Sequence, residues 1–309
     1  MHGWLRGNAV LNIHGSICAL VTPFTADGAL DLAAFARLLD HQLAGGTQAL
    51  VVAGSTGEAH MLEAAEFDRL LGFTLDHVSG RVPVIAGTGE AGTAKTVAAT
   101  RHAAQLGADA ALVVAPYYVR PTQEGLRRHF LEVAEHAGLP VILYNVPGRT
   151  ACDMLPATVA ALRDHPAIIG IKEARNDDER IQALVELVRD DFVYLSGDDA
   201  SAGAAMLAGA AGTVSVVANV VPQVFRAMCD AATAGDAQGT HRLVTALQPL
   251  LQALECAPNP IPVKAALALH GIGNGVLRLP LLALEDGAPR EQMRAALSTL
   301  ASLAVTTAA

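Results

Sequence analysis

Apolar runs of about five or six residues return along the chain at intervals of roughly 30, each followed by a polar or glycine-containing turn and a stretch with helical periodicity, the mark of repeated βα units. The runs predict strands at 16–21, 49–53, 82–86, 110–115, 140–144, 168–172, 192–195 and 212–216. The periodic stretches predict helices at 31–44, 64–78, 93–106, 123–137 and 177–189, with Gly45, Gly80, Gly107 and Gly138 as stop signals just beyond four of them. The strands are nearly continuous in apolar residues where half-buried strands would alternate, as expected when helices cover one face and a packed interior the other. Eight such units fit a closed (β/α)₈ barrel, the TIM barrel, over residues 1–221; a doubly wound open sheet is the alternative. After the eighth strand only helical patterns remain, at 222–234, 237–256, 262–269 and 290–305. They predict a C-terminal helical extension, 222–309, packed on the barrel.

Composition narrows the class of function. At 52% apolar and 17% charged residues the chain is too apolar for disorder and suits a well-covered parallel sheet. A net charge of -9 without a basic run argues against nucleic acid or anionic lipid as the main partner. Cys18, Cys152, Cys229 and Cys256 are far apart and form no Cys-x-x-Cys pair, so a reduced cytoplasmic setting fits better than a disulfide framework or a zinc site. The histidines show no metal-binding spacing either. The opening residues up to His14 carry too short an apolar stretch for the core of a signal peptide, and no later segment is apolar for long enough to span a membrane. A small-molecule enzyme is the expectation.

In such a barrel the active site lies at the carboxyl ends of the strands. Those positions are chemically rich here: Gly54-Ser55-Thr56-Gly57-Glu58 after strand two, Pro116-Tyr117-Tyr118 after four, Tyr144 and then Arg149 after five, Lys172-Glu173 at the end of six, and Ser196-Gly197-Asp198-Asp199 after seven. The chain has only three lysines, Lys95, Lys172 and Lys264, and a nucleophilic lysine cannot be exchanged for arginine, whose guanidinium stays charged. Lys172 follows Ile-Ile-Gly-Ile, so its amine should emerge among apolar neighbours that favour the neutral nucleophile. Imine formation with a small 2-oxo acid is the chemistry this suggests; a snorkelling lysine or a pair with Glu173 is the bland alternative. Lys95 and Lys264 are less well placed. Tyr144, Ser55 and Thr56 supply hydroxyls for the proton transfers that an imine requires, although a turn or helix cap would also explain Ser55 and Thr56. Arg149 offers a bidentate grip on a carboxylate, or a surface ion pair. Asp198 fits a substrate contact or a helix cap. Gly87-Thr88-Gly89-Glu90-Ala91-Gly92 imitates a dinucleotide fingerprint, but the acid expected at the end of the next strand is missing, since Asp109 stands at its beginning. No cofactor is therefore expected.

Taken together, the motifs resemble the class I pyruvate aldolase family that contains dihydrodipicolinate synthase and N-acetylneuraminate lyase. The likeness runs from Ala19-Leu20-Val21-Thr22-Pro23-Phe24 to Asn259-Pro260-Ile261-Pro262-Val263-Lys264 and Leu277-Arg278-Leu279-Pro280. It implies a TIM barrel in which Lys172 forms the Schiff base, Tyr144 is the central proton-transfer hydroxyl, and Thr56 links it to Tyr118 of a neighbouring subunit. Ser55 and Thr56 would hold the pyruvate carboxylate through backbone amides, and the Val214 carbonyl would face the imine. Tyr-Asn-Val-Pro-Gly-Arg-Thr, with Arg149, and Ser196-Gly197-Asp198-Asp199 resemble the synthase branch, which joins pyruvate to aspartate semialdehyde on the diaminopimelate route to lysine. Ser55 departs from the threonine usual in that branch, and Gly-Ser-Thr-Gly-Glu also occurs in the sialic-acid lyase branch. A related 2-oxo-acid aldolase or dehydratase, or a catalytically silent relative, are the other readings. The resemblance further implies a homotetramer of tight dimers. It also implies weak lysine feedback, because Ala59, Ala64, Ala91 and Lys95 replace the polar and acidic residues of inhibited synthases.

Overall fold

The computed structural model describes residues 11–307, the last seven in backbone only. The stretch weighed above as a possible leader lies, up to Val10, outside the described residues. Strands β1 (Gly15–Ala19), β2 (Ala49–Val52), β3 (Val84–Gly87), β4 (Ala110–Val114), β5 (Val141–Asn145), β6 (Ile168–Glu173), β7 (Val193–Ser196) and β8 (Gly212–Ser215) pair in sequence order, all parallel, and β8 returns to β1. The sheet is a closed (β/α)₈ barrel, as the apolar runs predicted.

Helices α1 (Leu32–Ala44), α2 (Ala64–Val78), α3 (Thr93–Leu106), α4 (Gln123–His136), α5 (Pro147–Thr150), α6 (Pro156–Leu162), α7 (Asp178–Val185) and α8 (Ala202–Ala208) fill the connections. Their starts follow local chemistry. Asp31 and Thr122 accept from the amides of Ala34 and Gly125, and Glu63 and Glu66 form a capping box on α2. The single turn α5 and the short α6 and α8 were not visible as periodic patterns, and α7 ends at Val185, short of residue 189. Helix α9 (Pro222–Thr233), expected to open the extension, instead packs on β1 between α1 and α8, so it completes the barrel as its eighth covering helix. The extension proper is α10 (Ala237–Leu254), α11 (Ile261–Leu269) and α12 (Ala288–Thr307). Among the described residues, no helix is long and apolar enough to cross a membrane.

Strand alternation divides the core in two. Ile17, Val51, Ile85, Leu112, Ile142, Leu195 and Val214 fill the barrel interior, whereas Cys18, Leu50, Val84, Ala111 and Leu143 lie under the helices. Between β5 and β6 the register shifts: Val141 pairs with Ile168, but Ile142 pairs with Gly170, which leaves Ile169 as an extra residue. An unbroken register would set Ile171 opposite Tyr144. The bulge sets Lys172 there.

Candidate active site

Lys172 and Tyr144 share the inner face of neighbouring strands, 6% and 7% exposed, with the lysine Nζ 4.2 Å from the centre of the tyrosine ring. Their chain neighbours Glu173 and Asn145 face outward, beneath the helices. There the Glu173 carboxylate accepts from Asn145 Nδ2 at 2.9 Å, from the Arg175 amide at 2.8 Å and from Arg180 Nη1 at 3.0 Å. Burial pushes its pKa up despite these donors. The possible Lys172–Glu173 pair is thus excluded by strand alternation, and among the described residues Lys172 Nζ has neither a hydrogen bond nor an ion pair.

Lys172 and Tyr144 open into a cavity of about 320 Å³ at the carboxyl ends of the strands, which Ser55, Thr56, Gly87 and Thr88 also line. Ser55 and Thr56 belong to a compact loop that needs left-handed backbone at both ends, at Ala53 (φ 52) and Glu58 (φ 54). Within it Gly57 N–H and Glu58 N–H donate to the carbonyls of Gly54 and Ser55 at 3.0 and 3.2 Å, whereas the amides of Ser55 and Thr56 donate to no acceptor among the described residues. Gly87 and Gly89 are explained by packing: a Cβ at Gly87 would meet Ala53 O at 2.2 Å, and one at Gly89 would meet Val114 N at 2.5 Å. The first two glycines of the apparent fingerprint are thus a steric requirement of the barrel rim, and the third, Gly92, caps α3 in open space.

The other expected residues stand around this centre. Gly197 lies behind Lys172, and a Cβ there would meet Lys172 Cε at 2.9 Å. Val214 is buried in the barrel interior. Arg149, on α5, is held by the Asn259 carbonyl at 2.8 Å and is exposed. Asp198 Oδ2 accepts from the Ser201 amide at 2.9 Å and hydroxyl at 2.6 Å, closing the turn into α8. Its other carboxylate oxygen makes no such bond among the described residues. Tyr118 is not in the cavity at all: it is 90% exposed, beside Val119, with φ 71, a conformation a bulky side chain seldom adopts. Its neighbour Tyr117 donates to Glu90 at 2.9 Å, and burial with that carboxylate pushes its pKa up to about 12. Ala59, Ala64, His60 and Glu90 line the outer end of the cavity.

Residues whose contacts no local pattern announces complete the site from behind. Glu58, wholly buried, accepts from Lys264 Nζ of α11 at 2.6 Å and from the Arg278 amide at 3.1 Å. Lys264 also donates to the Thr22 carbonyl at 2.8 Å, and Thr22 Oγ1 donates to Gly57 O at 2.6 Å. Asn259 Nδ2 donates to Thr56 Oγ1 at 3.0 Å. The Ser55–Thr56 loop is therefore clamped by the extension. A larger hollow, about 1700 Å³, opens at the opposite end of the barrel, lined by Gln48, Pro83, Asp109 and Pro140. It lies at the face that serves stability in this fold, away from Lys172. Among the described residues, no group of three His, Cys, Asp or Glu side chains could hold a metal ion.

Comparison with known proteins adds an independent line. Residues 12–300 match the sequence model of the dihydrodipicolinate synthetase family. A 4-hydroxy-tetrahydrodipicolinate synthase of Xanthomonas axonopodis pv. citri is 58% identical over 274 residues, which is 89% of this chain and 90% of that protein. The Pseudomonas aeruginosa protein of the same name is 49% identical over 269 residues, 87% and 92% of the two chains. The crystal structure of the chloride-inhibited dihydrodipicolinate synthase from Acinetobacter baumannii, complexed with pyruvate, superposes with a TM-score of 0.91 at 41% identity, covering 94% of this chain and 99% of the other.

Proposed function

The chain belongs to the dihydrodipicolinate synthetase family, and from that membership and the site geometry we propose that it condenses pyruvate with L-aspartate 4-semialdehyde to 4-hydroxy-tetrahydrodipicolinate. It is a lyase of the lysine and diaminopimelate route. The observation that carries the reading is the isolated amine of Lys172 at the end of β6, over Tyr144 and in a pocket that Ser55 and Thr56 also line.

In this reading Lys172 attacks the pyruvate carbonyl, water leaves, and loss of a methyl proton gives the enamine, which adds to the aldehyde. The substrate amine then displaces Lys172 as the ring closes. Ser55 and Thr56, whose amides meet no acceptor among the described residues, receive the pyruvate carboxylate, and the Val214 carbonyl faces the imine. Tyr144 and Thr56 move the protons, and Tyr118 of a neighbouring subunit completes the relay. The exposure and strained backbone of Tyr118 support that role, since a bulky residue held outward in a costly conformation calls for a partner surface. A homotetramer of tight dimers in the cytoplasm is the corresponding assembly. Arg149 takes the semialdehyde carboxylate, with Gly197 and the free oxygen of Asp198 near its amine. The reaction needs no cofactor, because the imine itself is the electron sink.

Incubation with pyruvate and borohydride should leave one reduced adduct on Lys172, found by peptide mapping, alongside turnover of aspartate semialdehyde. Lys172→Arg should give neither, because a guanidinium cannot become the neutral nucleophile. A persistent adduct in that variant would sink the assignment.

A further inference from the structure

Asn259 precedes α11 in the helical extension and touches both substrate-handling groups of the proposed reaction. Its side-chain Nδ2 donates to Thr56 Oγ1 at 3.0 Å, and its main-chain carbonyl accepts from Arg149 Nη2 at 2.8 Å. A hydroxyl has a single proton. When its oxygen accepts from an outside donor, that proton is free to be given elsewhere, and Thr56 lines the same cavity as Tyr144 and Lys172. The opposite amide orientation would consume the Thr56 proton and put both N–H donors at the buried position of Asn259 Oδ1, which meets no partner among the described residues.

We propose that Asn259 is a positioning residue for the proton relay: its amide fixes Thr56 as an acceptor and so directs the Thr56 proton towards Tyr144, while its backbone carbonyl fixes Arg149. The inference rests on the reading of Thr56 as part of the relay. It assigns the two contacts different sensitivities. A side-chain substitution removes only the first, because the carbonyl that holds Arg149 belongs to the main chain.

The test uses pyruvate alone in deuterated water, where exchange of the methyl protons reports enamine formation without any aldehyde. One hydrogen bond of net value near 1.4 kcal/mol corresponds to about a tenfold change in rate. Asn259→Leu should therefore exchange about tenfold more slowly while still trapping the imine with borohydride, and its KM for the semialdehyde should stay within about twofold of wild type. Asn259→Asp, which keeps the shape but can only accept, should be slowed as well and guards against a folding defect in the first variant. Added to Thr56→Val, Asn259→Leu should cost nothing more, as expected of a residue acting through Thr56. Wild-type exchange in both Asn259 variants, or an equal slowing on top of Thr56→Val, would overturn the proposal while leaving the aldolase reading intact. Wild-type protein that neither exchanges nor traps pyruvate would overturn both.

Discussion

Lys172 and Lys264 are almost equally hidden, at 6% and 3% exposure, and each amine sits over an aromatic ring, 4.2 Å from the centre of Tyr144 and 4.3 Å from that of Phe24. They differ in what else they meet. Lys264 donates to Glu58 and to the Thr22 carbonyl, in a seam where Arg278 also pairs with Glu66 and holds the carbonyls of Gly28 and Met61. Lys172 meets no acceptor among the described residues and faces a cavity instead. Burial alone therefore does not mark a nucleophile. Lys264 has its donors committed to a structural seam between barrel and extension, and burial draws its pKa below the ordinary lysine value against the upward pull of Glu58. The amine left without protein partners is the one available for chemistry.

Exchanging each lysine for methionine should separate the two regions most strongly. Lys264→Met leaves the Glu58 carboxylate buried beside a thioether, and breaking a buried pair by removing one partner costs about 3–5 kcal/mol. Lys172→Met orphans no group, so its stability should stay within about 1.5 kcal/mol of wild type or rise. Trapping with pyruvate should show the reverse: the adduct persists in whatever Lys264→Met folds and vanishes in Lys172→Met. Urea unfolding monitored with and without pyruvate checks both halves, and equal destabilisation by the two changes would erase the distinction.

Acid tests whether the seam or the helical layer is the weaker region. Glu66 is held below the usual carboxylate range by its hydrogen bond to Arg278, which keeps that ion pair charged as the pH falls. His129, on α4 and against Thr93 of α3, is different: Nδ1 meets Thr93 Oγ1 at 3.0 Å, Nε2 is buried with no partner among the described residues, and burial lowers its pKa from 6.5 to about 4. Between those two values the unfolded chain binds a proton that the folded chain refuses. Stability must therefore fall as the pH drops from 6.5 towards 4, by about 2 kcal/mol at pH 5. Amide exchange at pH 5 should show protection lost first around α3 and α4, with the backbone near Lys264 still protected, and His129→Gln should remove this residue's share of the pH dependence, leaving that of His41 and His270, whose pKa values burial also lowers. Earlier opening at the seam would reverse the ranking.

The same contrast explains what could be read from sequence. The strands fall within two residues of their predicted ends because most are nearly continuous apolar runs, and Lys172, Tyr144, Ser55 and Thr56 stand out because reactive types follow those runs. Glu58 and Lys264 meet across 206 residues of chain, and Asn259 and Thr56 across 203, so no local pattern announces either contact. Helices α6 and α8 have seven residues each, too short to display a periodic apolar face. Assignment of 222–233 to barrel or extension depends on packing against β1, which periodicity does not encode. Ile169, the extra residue that brings Lys172 opposite Tyr144, reads as one more apolar position in a strand.

Gly197 offers the smallest and most local perturbation, confined to the Lys172 side of the comparison. Its amide donates to Glu173 O at 2.7 Å, an interaction that alanine retains, and its backbone is not in the left-handed region. The added methyl group would lie 2.9 Å from Lys172 Cε, closer than real contacts come, so the lysine side chain must swing away, and 3.0 Å from the main-chain oxygen of Glu173, a tight contact that the strand must relieve by a few tenths of an ångström. Because the lysine end yields easily but the Glu173 backbone does not, the cost in stability should sit in the middle of the overpacking range, about 2 kcal/mol. The consequence for chemistry is separate. An amine displaced from its place over Tyr144 should form the pyruvate imine about tenfold more slowly, as a misplacement of the order of 1 Å costs one to two orders of magnitude. The rate of borohydride-trapped adduct against time, compared with the melting temperature, separates these effects. A wild-type trapping rate in Gly197→Ala would mean that Lys172 reacts equally well from a displaced position, and that its isolation from other groups, not its placement over Tyr144, is what the mouth of the barrel provides.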